Sequence, residues 1–357
     1  MRWALDPEQD MLVEAFSGWL QSVAPPAKVR GWLDAADPSE FEAALAAEGW
    51  LALGVPENAG GLGGGLLELA LSAEQLARGA TPSSAWTATV LALPALDGPT
   101  LETTLSEGDF AAIVASAESP LDQAATFEAS QGRLSGTVTL VLGADRAKLL
   151  IVAAGNDLYL VESSAAGVTI GPRELLDRSR SAADVSLVDV EGTKLDVDAG
   201  DFLATAALRA AVLVAADSLG AATRLRELAV EYSTQRTQFG VPIGSFQAVK
   251  HAAATMLVNE EASRSLVYYA AESVDKGLPE AFLHAAAAKA QVTRAGDAAA
   301  ESSLTMHGAI GYTWEHDLQL LYKRTKLDVA LFGDPECWNE RIAAGLDLIP
   351  AAQSGSR

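Results

Sequence analysis

Between Pro172 and Pro350 the chain carries only three prolines, Pro242, Pro279 and Pro335. Proline lacks a backbone donor and clashes with the preceding turn, so long alanine-rich stretches without it can run as long helices. Four such helices are expected, at Asp201–Gln235, Phe246–Lys276, Pro279–Thr305 and Glu315–Leu331. Short links between long helices favour an antiparallel bundle. The most apolar stretch, Ala204 to Ala222, is broken by Arg209 and Asp217 and reads as a buried helix rather than a membrane span.

Upstream of Pro172 the texture differs. Short β-branched runs, Thr137–Leu142, Leu149–Val152 and Leu158–Val161, are separated by the turn residues Gly143-Ala144-Asp145 and Gly155-Asn156-Asp157. This spacing predicts a small β sandwich or barrel from about Phe110 to Val197, with no room for intervening helices. Residues before about Ala115 are helical in pattern. Asp6-Pro7-Glu8 is a helix start, and Met11, Leu12, Ala15, Phe16, Trp19 and Leu20 form one expected apolar face. Asp37-Pro38-Ser39-Glu40 is a second start, leading to Phe41 and Leu45, and Leu66–Ala80 a further helix after the glycine-rich loop Pro56–Gly65. The expected fold is mainly α with a β domain: an N-terminal helical domain (1–112), a middle β sandwich or barrel (113–198), a C-terminal four-helix bundle (199–350) and a disordered tail (351–357).

Composition narrows the function. With 47 acidic and 25 basic residues the net charge is −22, which argues against nucleic acid and against an anionic membrane as partner. One cysteine, Cys337, excludes a disulfide framework, and four histidines (His251, His284, His307, His316) leave little for a multi-histidine metal centre. Acids and a proline stand near the start where a signal peptide would have its apolar core, so a cytoplasmic location is expected.

The sharpest segment is Tyr232-Ser-Thr-Gln-Arg236-Thr-Gln-Phe239-Gly240-Val-Pro-Ile-Gly-Ser-Phe246. Glycines and proline make it a turn between helices. They do not explain an arginine three residues before a phenylalanine at a helix end. That pair can grip a diphosphate bidentately and cover an adenine or ribose. Two further segments stand out: Gly49–Glu57 with Gly60-Gly61, and Met306-His307-Gly308-Ala309-Ile310-Gly311-Tyr312-Thr313-Trp314-Glu315-His316-Asp317.

In order and spacing these three segments resemble the acyl-CoA dehydrogenase family, and the resemblance extends over essentially the whole chain. It implies FAD at a subunit interface, an acyl-CoA thioester as substrate, and an electron-transfer flavoprotein or other acceptor. One subunit holds the flavin ring; its neighbour contributes the pyrophosphate and adenosine edge. Carried over by motif, the donated edge is Arg236, Phe239 and Gly240, with Thr305 standing where the family has glutamine, Gly308 retained and Ala309 replacing a second glycine. The family's chemistry needs a desolvated carboxylate to take the α-proton. Its two known positions fall here on Phe332 and Ala210, so no catalytic residue is assigned. Asp334 and Glu336 are the fallback bases, although Gly333-Asp334-Pro335-Glu336 also reads as a loop into a helix from Cys337 to Leu348. Cys337 would be reactive only if that helix start lowered its pKa. The middle domain departs as well: Ala115–Asp122 lacks the family's Gly-Ser-Asp, and Val138–Leu142 lacks its tryptophan. Arg209 and the cluster Lys323-Arg324-Thr325-Lys326 are packed or solvated helix faces, with no ligand assigned. The expectation is a subunit that completes the FAD site of a homologous, base-bearing partner. Its alternatives are a self-sufficient homomeric dehydrogenase using Asp334 or Glu336, and a non-enzymatic acyl-CoA-binding scaffold.

Overall fold

The computed structural model describes residues 5–346. The expected tail (351–357) and the end of the last predicted helix at Leu348 lie outside the described residues.

The N-terminal helices are α1 (Pro7–Val23), α2 (Pro26–Ala35), α3 (Ser39–Ala47), α4 (Leu66–Arg78), α5 (Ser84–Ala92) and α6 (Gly98–Glu107). Asp6 caps α1 in a capping box with Gln9, and Pro7 occupies the first turn, as the sequence predicts. Its apolar face is narrower than expected. Phe16 and Leu20 are buried, but Met11 and Ala15 face solvent, because α1 lies on the outside of the core along one seam only. Helix α2 was not foreseen; its signal is Pro26 at the first helical position after Pro25.

Two four-stranded sheets follow, built from β1 (Ala111–Ile113), β2 (Glu128–Ser130), β3 (Arg133–Leu142), β4 (Leu149–Ala154), β5 (Asp157–Glu162), β6 (Val168–Arg173), β7 (Ala182–Glu191) and β8 (Thr193–Asp198). Their orders are β1-β4-β5-β8 and β2-β3-β7-β6. Strand β4 is buried on both faces. Leu150, Val152 and Ala154 meet Leu134, Val138 and Val185 of the other sheet, while Leu149, Ile151 and Ala153 join the helical core. A strand between two layers must be apolar throughout, which explains its unbroken run.

The bundle comprises α7 (Ala199–Gln235), a two-residue-per-strand hairpin of β9 (Thr237–Gln238) and β10 (Val241–Pro242), α8 (Gln247–Asp275), α9 (Ala281–His307), α10 (Leu318–Ala330) and α11 (Pro335–Gly345). The four long helices and the mainly-α class stand as the sequence predicts. Helix α7 is apolar and long enough to cross a bilayer, yet 78% of its most apolar window is buried inside the chain.

The three sections meet at a buried polar junction. Arg324 of α10 is fully buried and binds Asp217 of α7 through two bonds, at 2.7 and 2.6 Å. Its Nη1 donates to the Thr81 carbonyl and Ser179 Oγ at 2.8 and 3.1 Å, and its Nη2 also to Ser83 Oγ at 2.8 Å. Arg180 adds a second guanidinium on Asp217 at 2.7 Å. Asp328 completes the cluster, and burial together with the Asp217 charge holds its carboxyl well above the usual range. Thus Arg324, expected on a helix face, is a packed interdomain tie.

Candidate functional site

Helix α7 ends at Gln235, and the Arg236 N–H closes its last turn on the Tyr232 carbonyl at 2.8 Å. The Ile243 N–H then returns to the Arg236 carbonyl at 2.8 Å, folding the segment into the β9–β10 hairpin. Phe239 stands at its tip, 92% exposed and in left-handed conformation (φ 53°), with Gly240 following at φ 82°. Its ring meets only the edge of Phe246, at 6.1 Å, among the aromatic contacts of the described residues. The exposed Arg236 guanidinium has no hydrogen-bond or ion-pair partner among the described residues. Thr305 is exposed on the last turn of α9, and Gly308 ends that helix at φ 63°, ψ −142°, a backbone shape only glycine adopts freely. Tyr232 stacks on His307 at 4.6 Å, so the hairpin and the Gly308 loop form one surface. The structure therefore presents Arg236, Phe239, Gly240, Thr305 and Gly308 to solvent on two segments joined by the Tyr232–His307 stack, with the Arg236 guanidinium unpaired among the described residues.

The inner positions are arranged in the opposite way. Ala210 is wholly buried and Phe332 is 3% exposed, and both belong to the main apolar core. The Phe332 N–H donates to the Ala117 carbonyl at 2.6 Å, and the Ala117 N–H donates to the Leu140 carbonyl at 2.9 Å. By resemblance, Ala115–Asp122 and Val138–Leu142 flank the flavin ring while Phe332 marks the base. Here those walls are hydrogen-bonded to one another. Pro120 packs against Gly333: a Cβ there would lie 2.9 Å from its Cδ. Leu121 enters the core, and Asp122 pairs with Arg341. Trp338 Nε1 donates to the Phe332 carbonyl at 2.9 Å. From below, the buried Lys289 ammonium donates to the Asp328, Val329 and Gly333 carbonyls at 3.0, 3.2 and 2.8 Å. Every polar group of this corner so described is turned toward the chain itself.

The fallback bases have other employment. The Asp334 carboxylate is exposed and caps α11 by accepting from the Cys337 N–H at 2.7 Å. Glu336 is exposed and pairs with Arg294. Neither stands in a dry pocket of the kind that raises a base toward neutrality. Burial pushes the Cys337 thiol up, so it is not activated. Arg209 is half-buried, and desolvation lowers its pKa against the attraction of Asp275. Lys289 and the Arg180–Asp217–Arg324–Asp328 junction escaped the sequence reading. The usable signal was a charge inside an apolar helix, which cannot be buried without a partner.

The helix–β–helix order and the exposed Arg–Phe edge are those that the resemblance to a family of flavin-dependent dehydrogenases implies. Sequence comparison agrees: residues 6–98 match the acyl-CoA dehydrogenase N-terminal domain and residues 203–346 its C-terminal domain. The chain is 31% identical over 347 residues to acyl-CoA dehydrogenase IpdE2 of Mycolicibacterium smegmatis, spanning 95% of this chain and 99% of that protein. The chain belongs to the acyl-CoA dehydrogenase family, whose cofactor is FAD. Similar solved structures include the Tcur3481-Tcur3483 steroid ACAD G363A variant (TM-score 0.83, 24% identity, 94% and 97% coverage). The ChsE4-ChsE5 complex from Mycobacterium tuberculosis is another (TM-score 0.84, 23% identity, 98% and 100% coverage). These two share the fold. The two regions that the resemblance assigns to FAD differ in exposure: Arg236 and Phe239 stand in solvent, while Phe332 and Ala210 lie in the apolar core.

Proposed function

We propose that this chain is the non-catalytic subunit of a heteromeric, FAD-dependent acyl-CoA dehydrogenase. It lends Arg236, Phe239, Gly240, Thr305 and Gly308 to the FAD held by a homologous, base-bearing sister chain. The observation that carries this reading is the hydrogen bond from the Phe332 N–H to the Ala117 carbonyl, which joins the two walls of the cleft in which the family seats its flavin ring. The free guanidinium of Arg236 and the exposed Phe239 ring support the complementary half: a pyrophosphate is bound by bidentate guanidinium donors, and an adenosine face by an open aromatic ring. Thr305 and Ala309 reduce what the Gly308 loop offers, so Arg236 bears most of the polar contact. The bound FAD supplies the hydride acceptor; this chain orients it from outside. The acyl group is bulky, of the steroid-derived kind, a reading supported by the steroid ACAD among similar folds. The complex works in the cytoplasm and passes electrons to an electron-transfer flavoprotein or another acceptor.

Expression alone and together with a glutamate-bearing family member tests this. A colourless chain that forms a yellow, active complex only with the sister is the expected result. A yellow chain that bleaches alone with acyl-CoA would establish the self-sufficient homomeric dehydrogenase instead. Absence of flavin in both states would leave an acyl-CoA-binding scaffold.

A further inference from the structure

The outer edge comes from two helices that end side by side. Arg236 and Phe239 grow out of α7, and Thr305 and Gly308 close α9. Three rings join them. Tyr232, one turn before Arg236, lies on the His307 imidazole at 4.6 Å and 23°. His307 in turn meets His316 edge-on, at 4.8 Å and 64°. The His316 ring is fixed by the Leu318 N–H, which donates to its Nδ1 at 3.2 Å. The loop carrying His316 is itself tied to α2, because Arg30 donates to the Trp314 and Glu315 carbonyls at 3.0 and 2.6 Å.

His307 is the middle ring and is only 3% exposed. Its Nδ1 lies 2.8 Å from the Ser303 carbonyl, an acceptor, so Nδ1 carries the proton. Its Nε2 is buried without a partner among the described residues. A neutral ring leaves only a lone pair there, whereas an imidazolium would bury an unpaired N–H, and burial holds this pKa below the ordinary value. The imidazole therefore serves as a flat neutral spacer. Offset stacking fixes ring separation and contributes beyond burial alone.

We propose that His307 is the positioning residue of the dinucleotide edge: stacked on Tyr232 and braced edge-on by His316, it sets the separation of the Arg236 hairpin from the Gly308 loop. This rests on the reading of that edge as the sister subunit's FAD clamp, and it adds a residue that does not itself reach the cofactor.

The test uses the complex of this chain with its glutamate-bearing sister, stripped of flavin and titrated with FAD. His307→Leu, which keeps volume without a flat ring, is expected to raise the Kd for FAD about three- to tenfold. His307→Phe is expected to restore it. Tyr232→Leu removes the stack from its other side and is expected to match His307→Leu. A purely structural role would instead lower the Tm of the flavin-free complex with no rescue of Kd by Phe. Arg236→Ala separates the two claims. If Arg236→Ala weakens FAD while both leucine variants bind it as the wild type does, the positioning role is overturned and the edge stands. If Arg236→Ala leaves FAD binding unchanged, the edge falls, and the positioning role with it.

Discussion

Phe239-Gly240 at the hairpin tip and Phe332-Gly333 after α10 are the same dipeptide in nearly the same backbone shape. Their φ values are 53° and 82° in the first and 54° and 94° in the second. Phe239 is 92% exposed and Phe332 3%. A left-handed conformation costs a phenylalanine about 1–2 kcal/mol. At the inner corner that cost is offset. The buried ring contributes about 1.5–3 kcal/mol. The hydrogen bonds to Ala117 and Trp338 contribute about 0.5–1.5 kcal/mol each. At the hairpin tip the ring faces water and has one edge contact with Phe246. One Phe-Gly corner is thus packed into the core, and the other stands in water.

The strongest way to break the inner half is Arg324→Ala. It leaves Asp217 and Asp328 buried with one guanidinium fewer, and a loss of about 3–5 kcal/mol is expected from the denaturant midpoint. A loss under about 1 kcal/mol would mean the junction does not hold the sections together. Phe332→Glu comes next. It supplies the residue type the family uses as base, but places a carboxylate in an apolar core. We expect a loss of more than about 2 kcal/mol and no acyl-CoA oxidation by the chain alone; flavin bleaching by this variant would show that the cleft is usable after all.

Arg236→Ala sharpens the outer half. In the complex, FAD affinity should fall by about 1.5–3 kcal/mol, tenfold or more. The chain's own stability should stay within about 0.5 kcal/mol. Equal losses in both would make Arg236 structural. The smallest effect concerns pH. The folded chain keeps the Asp328 proton well above the ordinary carboxyl range. A raised folded pKa gives stability that is full below the unfolded value and is lost as pH rises through the folded one. Asp217 runs the other way: its guanidinium partners lower its pKa against burial, and its share is lost as pH falls. Asp328→Asn, which cannot ionise, should cost about 1 kcal/mol and flatten the alkaline decline in Tm. An unchanged alkaline slope would locate that decline in other groups.

The long helices were readable because proline spacing and alanine content act locally, through backbone donors and side-chain entropy. The strands were readable from β-branched runs between turn residues. The motif Tyr232–Phe246 stands out in the sequence because an arginine three residues before a phenylalanine is not needed for a plain turn. Burial was read less well. Met11 and Ala15 share the helical period of Phe16 and Leu20, and periodicity alone does not say how wide a seam the neighbouring helix covers. Helix α2 was hidden in a short stretch of mixed polarity. Arg324 in its basic run left packed and solvated faces equally open, although Asp217 inside an apolar helix announced that a buried cation had to exist somewhere.

From the linear chain came the mainly-α class with its β domain, the arginine–phenylalanine pair and the missing carboxylates at Phe332 and Ala210. These depend on residue identity and on spacing within a few turns. Only tertiary structure decided that Ala117 meets Phe332, that Lys289 saturates the turn beyond α10, and that residues 81, 83, 179, 180, 217 and 324 share one buried junction. Such contacts join segments up to hundreds of residues apart, and their partners are chosen by packing and by the cost of burying an unpaired polar group, neither of which is written in any local pattern.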